Sequence, residues 1–268
     1  MLLEVKNIRI SFKKETQKKI FGKERQEIIK GVSFFLEEGD CLGIIGESGS
    51  GKSTLGKSLV GLLPPNEGEI FLEGINLYGK KTRQEKEQLN HLKSVVFQDY
   101  ISSVNSRFKV KDIINESLKI LEKKESQKFD KKNKTLELLQ SVGLNETFLE
   151  RYPHELSGGQ LQRVCIARAI ATKPKFILLD EAVSSLDASI QTQVMNLLKE
   201  LQKKFNFTYI FITHDLPSVT YMCNKVIFFN EGKIVEQVNS IYRLSNVETE
   251  YAQNLLNSIL EIDIYENQ

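Results

Sequence analysis

Three glycines, a lysine and four hydroxyls are gathered in the run Gly46-Glu47-Ser48-Gly49-Ser50-Gly51-Lys52-Ser53-Thr54. Glycines at these spacings free successive backbone N–H groups to wrap phosphate oxygens. Lys52 brings a point charge to the β- and γ-phosphates, and the Ser53 hydroxyl reaches Mg²⁺. A second glycine pair, Leu156-Ser157-Gly158-Gly159-Gln160, opens a helical stretch continuing through Arg168. The N-terminus of such a helix carries roughly half a positive charge and suits an anion. A third group is Phe176-Ile177-Leu178-Leu179-Asp180-Glu181, an apolar strand that ends in two carboxylates. There Asp180 can hold Mg²⁺ through water while Glu181 orients or deprotonates an attacking water, although a buried strand ending in a capping acid has the same appearance. Gln98, after Val95-Val96-Phe97, and His214, after another apolar run, are polar residues at strand ends that can reach Mg²⁺, the water or a γ-phosphate. Each has an ordinary reading too, as a surface Gln or a structural His.

Phosphate chemistry of this kind needs a strand, a tight loop and a helix N-terminus. Cys41-Leu42-Gly43-Ile44-Ile45 reads as a buried parallel strand, and residues 53–63 read as an amphipathic helix stopped by Pro64-Pro65. Alternation over residues 2–12, resuming at 32–36 and 69–72, predicts an antiparallel β-subdomain at the start. Helical period follows over 84–92, 110–121, 131–142 and 158–171, with a strand at 94–97. Strand and helix then alternate through 176–179, 187–203, 209–212 and 216–222, the pattern of a parallel sheet with flanking helices. The expected organisation is one domain, 1–268. Its core comprises 1–81 and 172–240, with a helical insertion at 82–171 and a short amphipathic C-terminal helix at about 248–262.

Composition sets the outer bounds. At 268 residues the chain is near the upper limit for a single hydrophobic core. Hydrophobic residues at 40% and charged residues at 27% are ordinary for a globular protein, and a net charge of +2 carries no nucleic-acid signature. No run approaches the roughly 18 apolar residues of a membrane span, and the start Met1-Leu2-Leu3-Glu4 lacks a signal-peptide layout, so a cytoplasmic location is expected. Cys41, Cys165 and Cys223 lie in apolar runs and read as small core residues. His91, His154 and His214 form no ligand-spaced cluster. The basic stretch from Lys13 to Arg25 reads as a solvated loop between strands or as a contact for anionic lipid.

Taken in order, these motifs resemble the nucleotide-binding domain of ATP-binding-cassette (ABC) transporters, over nearly the whole chain. In that family's terms residues 46–54 are Walker A, Gln98 the Q-loop, residues 156–160 the signature, Asp180-Glu181 Walker B, Ser184-Ser185-Leu186-Asp187 the D-loop and His214 the switch histidine. The resemblance implies a P-loop NTPase fold of the α/β class with a RecA-like core, ATP and Mg²⁺ as ligands, and a head-to-tail dimer. In that dimer Ser157, Gly158, Gly159, Gln160 and Asp187 meet nucleotide held by Walker A of a like or unlike partner. Ser53, Gln98 and Asp180 are the implied Mg²⁺ contacts, and Glu181, His214 and Gln98 the implied catalytic residues. Phe12 stands where the family usually places an aromatic ring that stacks on adenine, with core packing as its other reading and Phe21 as a weaker candidate.

Within the family, Glu47-Ser48-Gly49-Ser50, Val96-Phe97-Gln98-Asp99 and Tyr152-Pro153-His154-Glu155-Leu156 resemble the ATPases of peptide and nickel importers. The wording around Tyr100, Cys165 and Ala182-Val183 resembles the nickel-import ATPases in particular. The expected cargo is therefore nickel or a nickel chelate, with dipeptides or oligopeptides as the alternative. This implies two integral permeases, an extracytoplasmic binding protein, and a peripheral position on the cytoplasmic face of the membrane. Non-transport ABC ATPases are disfavoured, since the chain has neither a long coiled-coil insertion nor a second cassette. Residues 251–256 resemble the start of the peptide importers' C-terminal extension, without a cysteine cluster after it.

Overall fold

The computed structural model describes residues 1–13 and 25–266, with side chains through Ser258. Expectations for Phe21 and for the basic loop at 14–24 lie outside the described residues. The chain divides into two compact units, one formed by 1–81 with 211–268 and the other by 82–210, so residues 172–210 group with the helical stretch.

The first unit opens with β1 (Leu3–Lys13) and β2 (Arg25–Leu36), paired antiparallel from Leu3↔Leu36 to Lys13↔Arg25. β2 begins well before the apolar stretch at 32–36, because ladder hydrogen bonds to β1 carry the polar Arg25-Gln26-Glu27 segment without needing buried side chains. β3 (Cys41–Ile45) is fully buried and leads into α1 (Lys52–Leu59). That helix stops short of the two prolines expected to end it. Gly61 takes φ 83, the Gly61 N–H donates to the Ser58 carbonyl at 3.2 Å, and the Leu62 N–H donates to the Lys57 carbonyl at 2.9 Å. This paired closure is the glycine C-cap that satisfies a helix's last carbonyls. β4 (Glu67–Leu72) and β5 (Ile75–Asn76) complete a four-stranded antiparallel sheet of order β2-β1-β4-β5.

The second unit contains α2 (Arg83–Leu92), β6 (Lys93–Val96), α3 (Val110–Glu125), α4 (Lys131–Ser141), α5 (Gly158–Ile170), β7 (Phe176–Asp180) and α6 (Ala188–Phe205). Thr82 and Glu85 form a capping box at the start of α2, with the Glu85 N–H donating to the Thr82 hydroxyl and the Thr82 N–H to the Glu85 carboxylate. β6 and β7 pair in parallel from Lys93↔Phe176 to Val96↔Leu179. The unit boundary falls inside β8 (Thr208–Thr213), all of which is buried.

The chain returns to the first unit through α7 (Leu216–Met222), β9 (Lys225–Asn230), β10 (Lys233–Val238) and α8 (Glu250–Glu266). β9 pairs in parallel with β3, Ile45 opposite Phe228, and antiparallel with β10. Between β9 and β10, Glu231 and Gly232 take φ 45 and 81, the positive pair of a two-residue hairpin turn. The sequence reading contained neither β9 nor β10.

Candidate nucleotide site

In the first unit the parallel pairing of β3 with β9 aims the chain into the loop at 46–51. Gly46 is tightly enclosed, since a Cβ there would lie 1.9 Å from the Phe229 carbonyl oxygen. Gly49 and Gly51 take φ 82 and 106, and a Cβ on Gly49 would meet nothing within 4 Å. Lys52 is only 4% exposed, and its ammonium donates to the carbonyls of Gly46 and Glu47, both at 2.7 Å, and to Ser50 Oγ at 3.4 Å. Gly51 is the N-cap of α1 and supplies no side-chain cap, so no cap side chain engages the backbone N–H groups of the first turn. A curled loop, an uncapped helix start and a fixed cation fit a polyphosphate. Ser53 and Thr54 are half-buried in that first turn, while Glu47 and Ser48 are exposed and Ser50 is buried.

Two more predicted residues belong to this unit. His214 is exposed directly after β8, where Asp215 caps α7 by accepting the Ser218 N–H at 3.0 Å. Phe12, near the end of β1 and opposite Gln26, is 44% exposed, which does not suit core packing.

The second unit brings Gln98 and Glu181 together, and strand register explains why. With Val96 opposite Leu179 in parallel strands, two further residues on each side reach Gln98 and Glu181 at the same sheet end. Gln98 Nε2 donates to Glu181 Oε2 at 2.9 Å. Asp180, the last residue of β7, is 6% exposed. Glu181 itself adopts φ 47, an uncommon left-handed conformation for this residue type. It is held there by Ser184, whose N–H and hydroxyl donate to the Glu181 carbonyl at 3.2 and 3.0 Å, the hydroxyl also lying 3.3 Å from Oε2. Gln162, on α5, adds a buried 2.6 Å bond from its Nε2 to the Ala182 carbonyl. Gln162 is fully buried, and sequence reading passed over it because it sits inside an otherwise ordinary helical pattern.

Ser157 is the N-cap of α5. Its hydroxyl accepts the Gln160 N–H at 3.3 Å, and the Gln160 carboxamide oxygen accepts the Ser157 N–H at 3.0 Å. Gln160 thus has a local capping task. The two signature glycines also have packing reasons, since a Cβ on Gly158 would approach the Tyr100 hydroxyl to 2.7 Å and one on Gly159 would approach Ile190 Cγ2 to 2.5 Å. Asp187, the N-cap position of α6, is exposed.

A strand-loop-helix phosphate cradle and a strand-ending acid pair, together with a serine-capped diglycine helix start, define a P-loop ATPase cassette. Residues 29–184 match the family described as ABC transporter. The oligopeptide transport ATP-binding protein OppF of Streptococcus mutans is 44% identical over 265 residues, covering 98% of this chain and 82% of that protein. OppF of Bacillus subtilis is 40% identical over 96% of this chain and 82% of its own length. Among solved structures, a dimeric ATP-binding cassette in a post-hydrolysis state bound to ADP and Pi matches with a TM-score of 0.75 at 28% identity, over 88% of this chain and 97% of that one. The cbiO1 protein of Clostridium perfringens, part of the ABC transporter complex cbiONQ, matches with a TM-score of 0.74 at 25% identity over 100% and 99% of the two chains. The chain belongs to the ABC transporter family, as its ATPase cassette.

The nickel expectation finds no support in these relatives, which are named for oligopeptide transport. The physical reason is visible in the residues that suggested nickel. Cys165, Ala182 and Val183 are 2%, 3% and 1% exposed, so their identities answer to internal packing rather than to cargo; Tyr100 is half-buried, and its carbonyl accepts the Ser103 hydroxyl at 2.9 Å. Among the described residues no helix is long and apolar enough to cross a membrane.

Proposed function

We propose that this chain is the ATP-hydrolysing subunit of an oligopeptide importer. The observation that carries the ATPase reading is the Gln98–Glu181 contact at 2.9 Å beside a buried Asp180, a carboxylate held for proton transfer next to a second acid. In this reading the loop at 46–54 binds the phosphates, with Lys52 as their charge partner, and Phe12 offers an aromatic face to adenine. Ser53, Asp180 and Gln98 are oxygen donors of the hard type that Mg²⁺ prefers; the ion would neutralise phosphate charge in the transition state. Glu181 takes the proton of the attacking water, and His214 donates to the γ-phosphate. Ser157, Gly158, Gly159, Gln160 and Asp187 meet nucleotide bound by a second cassette; a similar cassette that is dimeric and bound to ADP and Pi supports the pairing of two cassettes. ATP then holds two cassettes together and hydrolysis releases them, because these contacts favour the triphosphate state.

Oligopeptide cargo is supported by the names of relatives up to 44% identical. Two permeases and an extracytoplasmic binding protein complete the proposed importer, with this chain peripheral on the cytoplasmic face. Deleting the chain from cells is expected to abolish energy-dependent accumulation of a labelled oligopeptide while leaving nickel accumulation unchanged. Loss of nickel uptake with peptide uptake intact would overturn the cargo assignment.

A further inference from the structure

A single peptide group at the mouth of the phosphate loop is gripped from both ends. Its carbonyl, that of Gly46, accepts the Lys52 ammonium at 2.7 Å, and its N–H, that of Glu47, donates to the hydroxyl of Tyr251 at 3.2 Å. Tyr251 Oη also lies 3.5 Å from the Phe229 carbonyl oxygen, the atom that encloses Gly46. The tyrosine therefore ties the end of β9 to the first limb of the loop, all within the first unit. Its place in the first turn of α8 is well fixed. The Glu236 carboxylate accepts the N–H groups of Glu248 and Thr249 at 2.9 and 3.0 Å and the Thr249 hydroxyl at 2.6 Å, and Ala252 is fully buried. A phenol is protonated at neutral pH, and burial raises the Tyr251 pKa further, so its proton can serve Phe229 while its oxygen accepts from Glu47.

We propose that Tyr251 is a positioning residue for the phosphate loop: by fixing the Gly46–Glu47 peptide group it orients the carbonyl that anchors Lys52, and it makes α8 part of the nucleotide site. The inference rests on the nucleotide reading above. Removing the hydroxyl frees that peptide group to rotate, and Lys52 loses a fixed partner. The ring, which packs the start of α8, is not needed for this effect.

The test compares the full chain with Tyr251→Phe and Tyr251→Ala, using ADP titration calorimetry, ATPase kinetics and amide exchange at Glu47. Loss of one hydrogen bond predicts about fivefold weaker ADP binding in Tyr251→Phe. The KM for ATP is expected to rise by a similar factor with kcat nearly unchanged, and Glu47 amide exchange to accelerate. Unchanged ADP affinity in Tyr251→Phe would overturn the inference, even if Tyr251→Ala binds poorly, because the ring alone would then be responsible. Should Tyr251→Phe fail to fold, the unsubstituted chain still decides: unprotected exchange at the Glu47 amide would also overturn it. Absence of ADP binding by the unsubstituted chain would instead bring down the nucleotide reading, and this inference with it.

Discussion

Gly46→Ala and Gly49→Ala change the same loop by the same methyl group and are expected to have unequal effects. At Gly46 the new Cβ would lie 1.9 Å from the Phe229 carbonyl oxygen and 3.4 Å from Ser50 Oγ. An ordinary carbon–oxygen contact is about 3.3 Å, so backbone must move by about 1.4 Å. The obstructing atom belongs to β9, whose pairing to β3 places Phe228 opposite Ile45 one step earlier, so the shift strains a buried parallel ladder. Overpacking of this kind costs about 1–3 kcal/mol, which for a chain of this size lowers Tm by about 3–10 °C. The shift also carries the Gly46 carbonyl away from Lys52, so ADP affinity falls with stability. At Gly49 nothing lies within 4 Å, and the only cost is a left-handed alanine at φ 82. That amounts to about 1–2 kcal/mol or a few degrees. Scanning calorimetry of the three chains, with and without ADP, measures both effects. Equal Tm values for the two variants, with Gly46→Ala retaining wild-type ADP affinity, would show that the Phe229 carbonyl does not confine residue 46.

Glu181→Gln is expected to retain ATP binding and lower turnover by about 10²–10⁴, measured by steady-state phosphate release; near-normal turnover would remove Glu181 from its role. Ser157→Arg places a bulky cation at the start of α5 and is expected to block hydrolysis while leaving nucleotide binding by the isolated chain intact, read by calorimetry and phosphate release together. Asp40 gives a pH test. Burial acts to raise its pKa, but hydrogen bonds from Lys225 at 2.6 Å, Asn224 at 2.9 Å and the Glu37 N–H at 3.0 Å outweigh it and hold the pKa below the ordinary 3.8. The stabilisation is therefore present above the unfolded pKa and lost as pH falls through the lowered one. Urea midpoints for Asp40→Asn should fall furthest below wild type near neutral pH, with the gap narrowing below about pH 4; a gap that widens in acid would contradict the sign.

The parts legible in the sequence are those where local pattern and chemistry coincide. The glycine-lysine loop, the acid pair at the end of β7 and the serine before α5 could be placed from residue types alone, because each ends or starts an element with clear periodicity. Most of what escaped depends on hydrogen bonds that residue types alone do not announce. β2 begins at polar residues because β1 recruits them, and α1 ends at Leu59 because the backbone closes at Gly61 before the prolines are reached. β9 was legible in the run Val226-Ile227-Phe228-Phe229, which is completely buried, yet it went unassigned beside the nearby α7. Gln162 and Tyr251 act across 20 and 204 residues of chain, through contacts that no local spacing encodes. Cargo escaped for a different reason, since three of the residues taken to report it, Cys165, Ala182 and Val183, are buried in the second unit and report packing.

In the proposed importer, ATP hydrolysis by this chain is coupled to oligopeptide transport. ATPase activity of the complex with the proposed permeases and binding protein, reconstituted in lipid vesicles and assayed with and without an oligopeptide, measures that coupling. Hydrolysis is expected to rise when peptide-loaded binding protein is added, peptide accumulation to require ATP, and both to be lost in Glu181→Gln. Peptide-independent hydrolysis without accumulation, or stimulation by nickel or its chelates in place of peptide, would contradict the coupling.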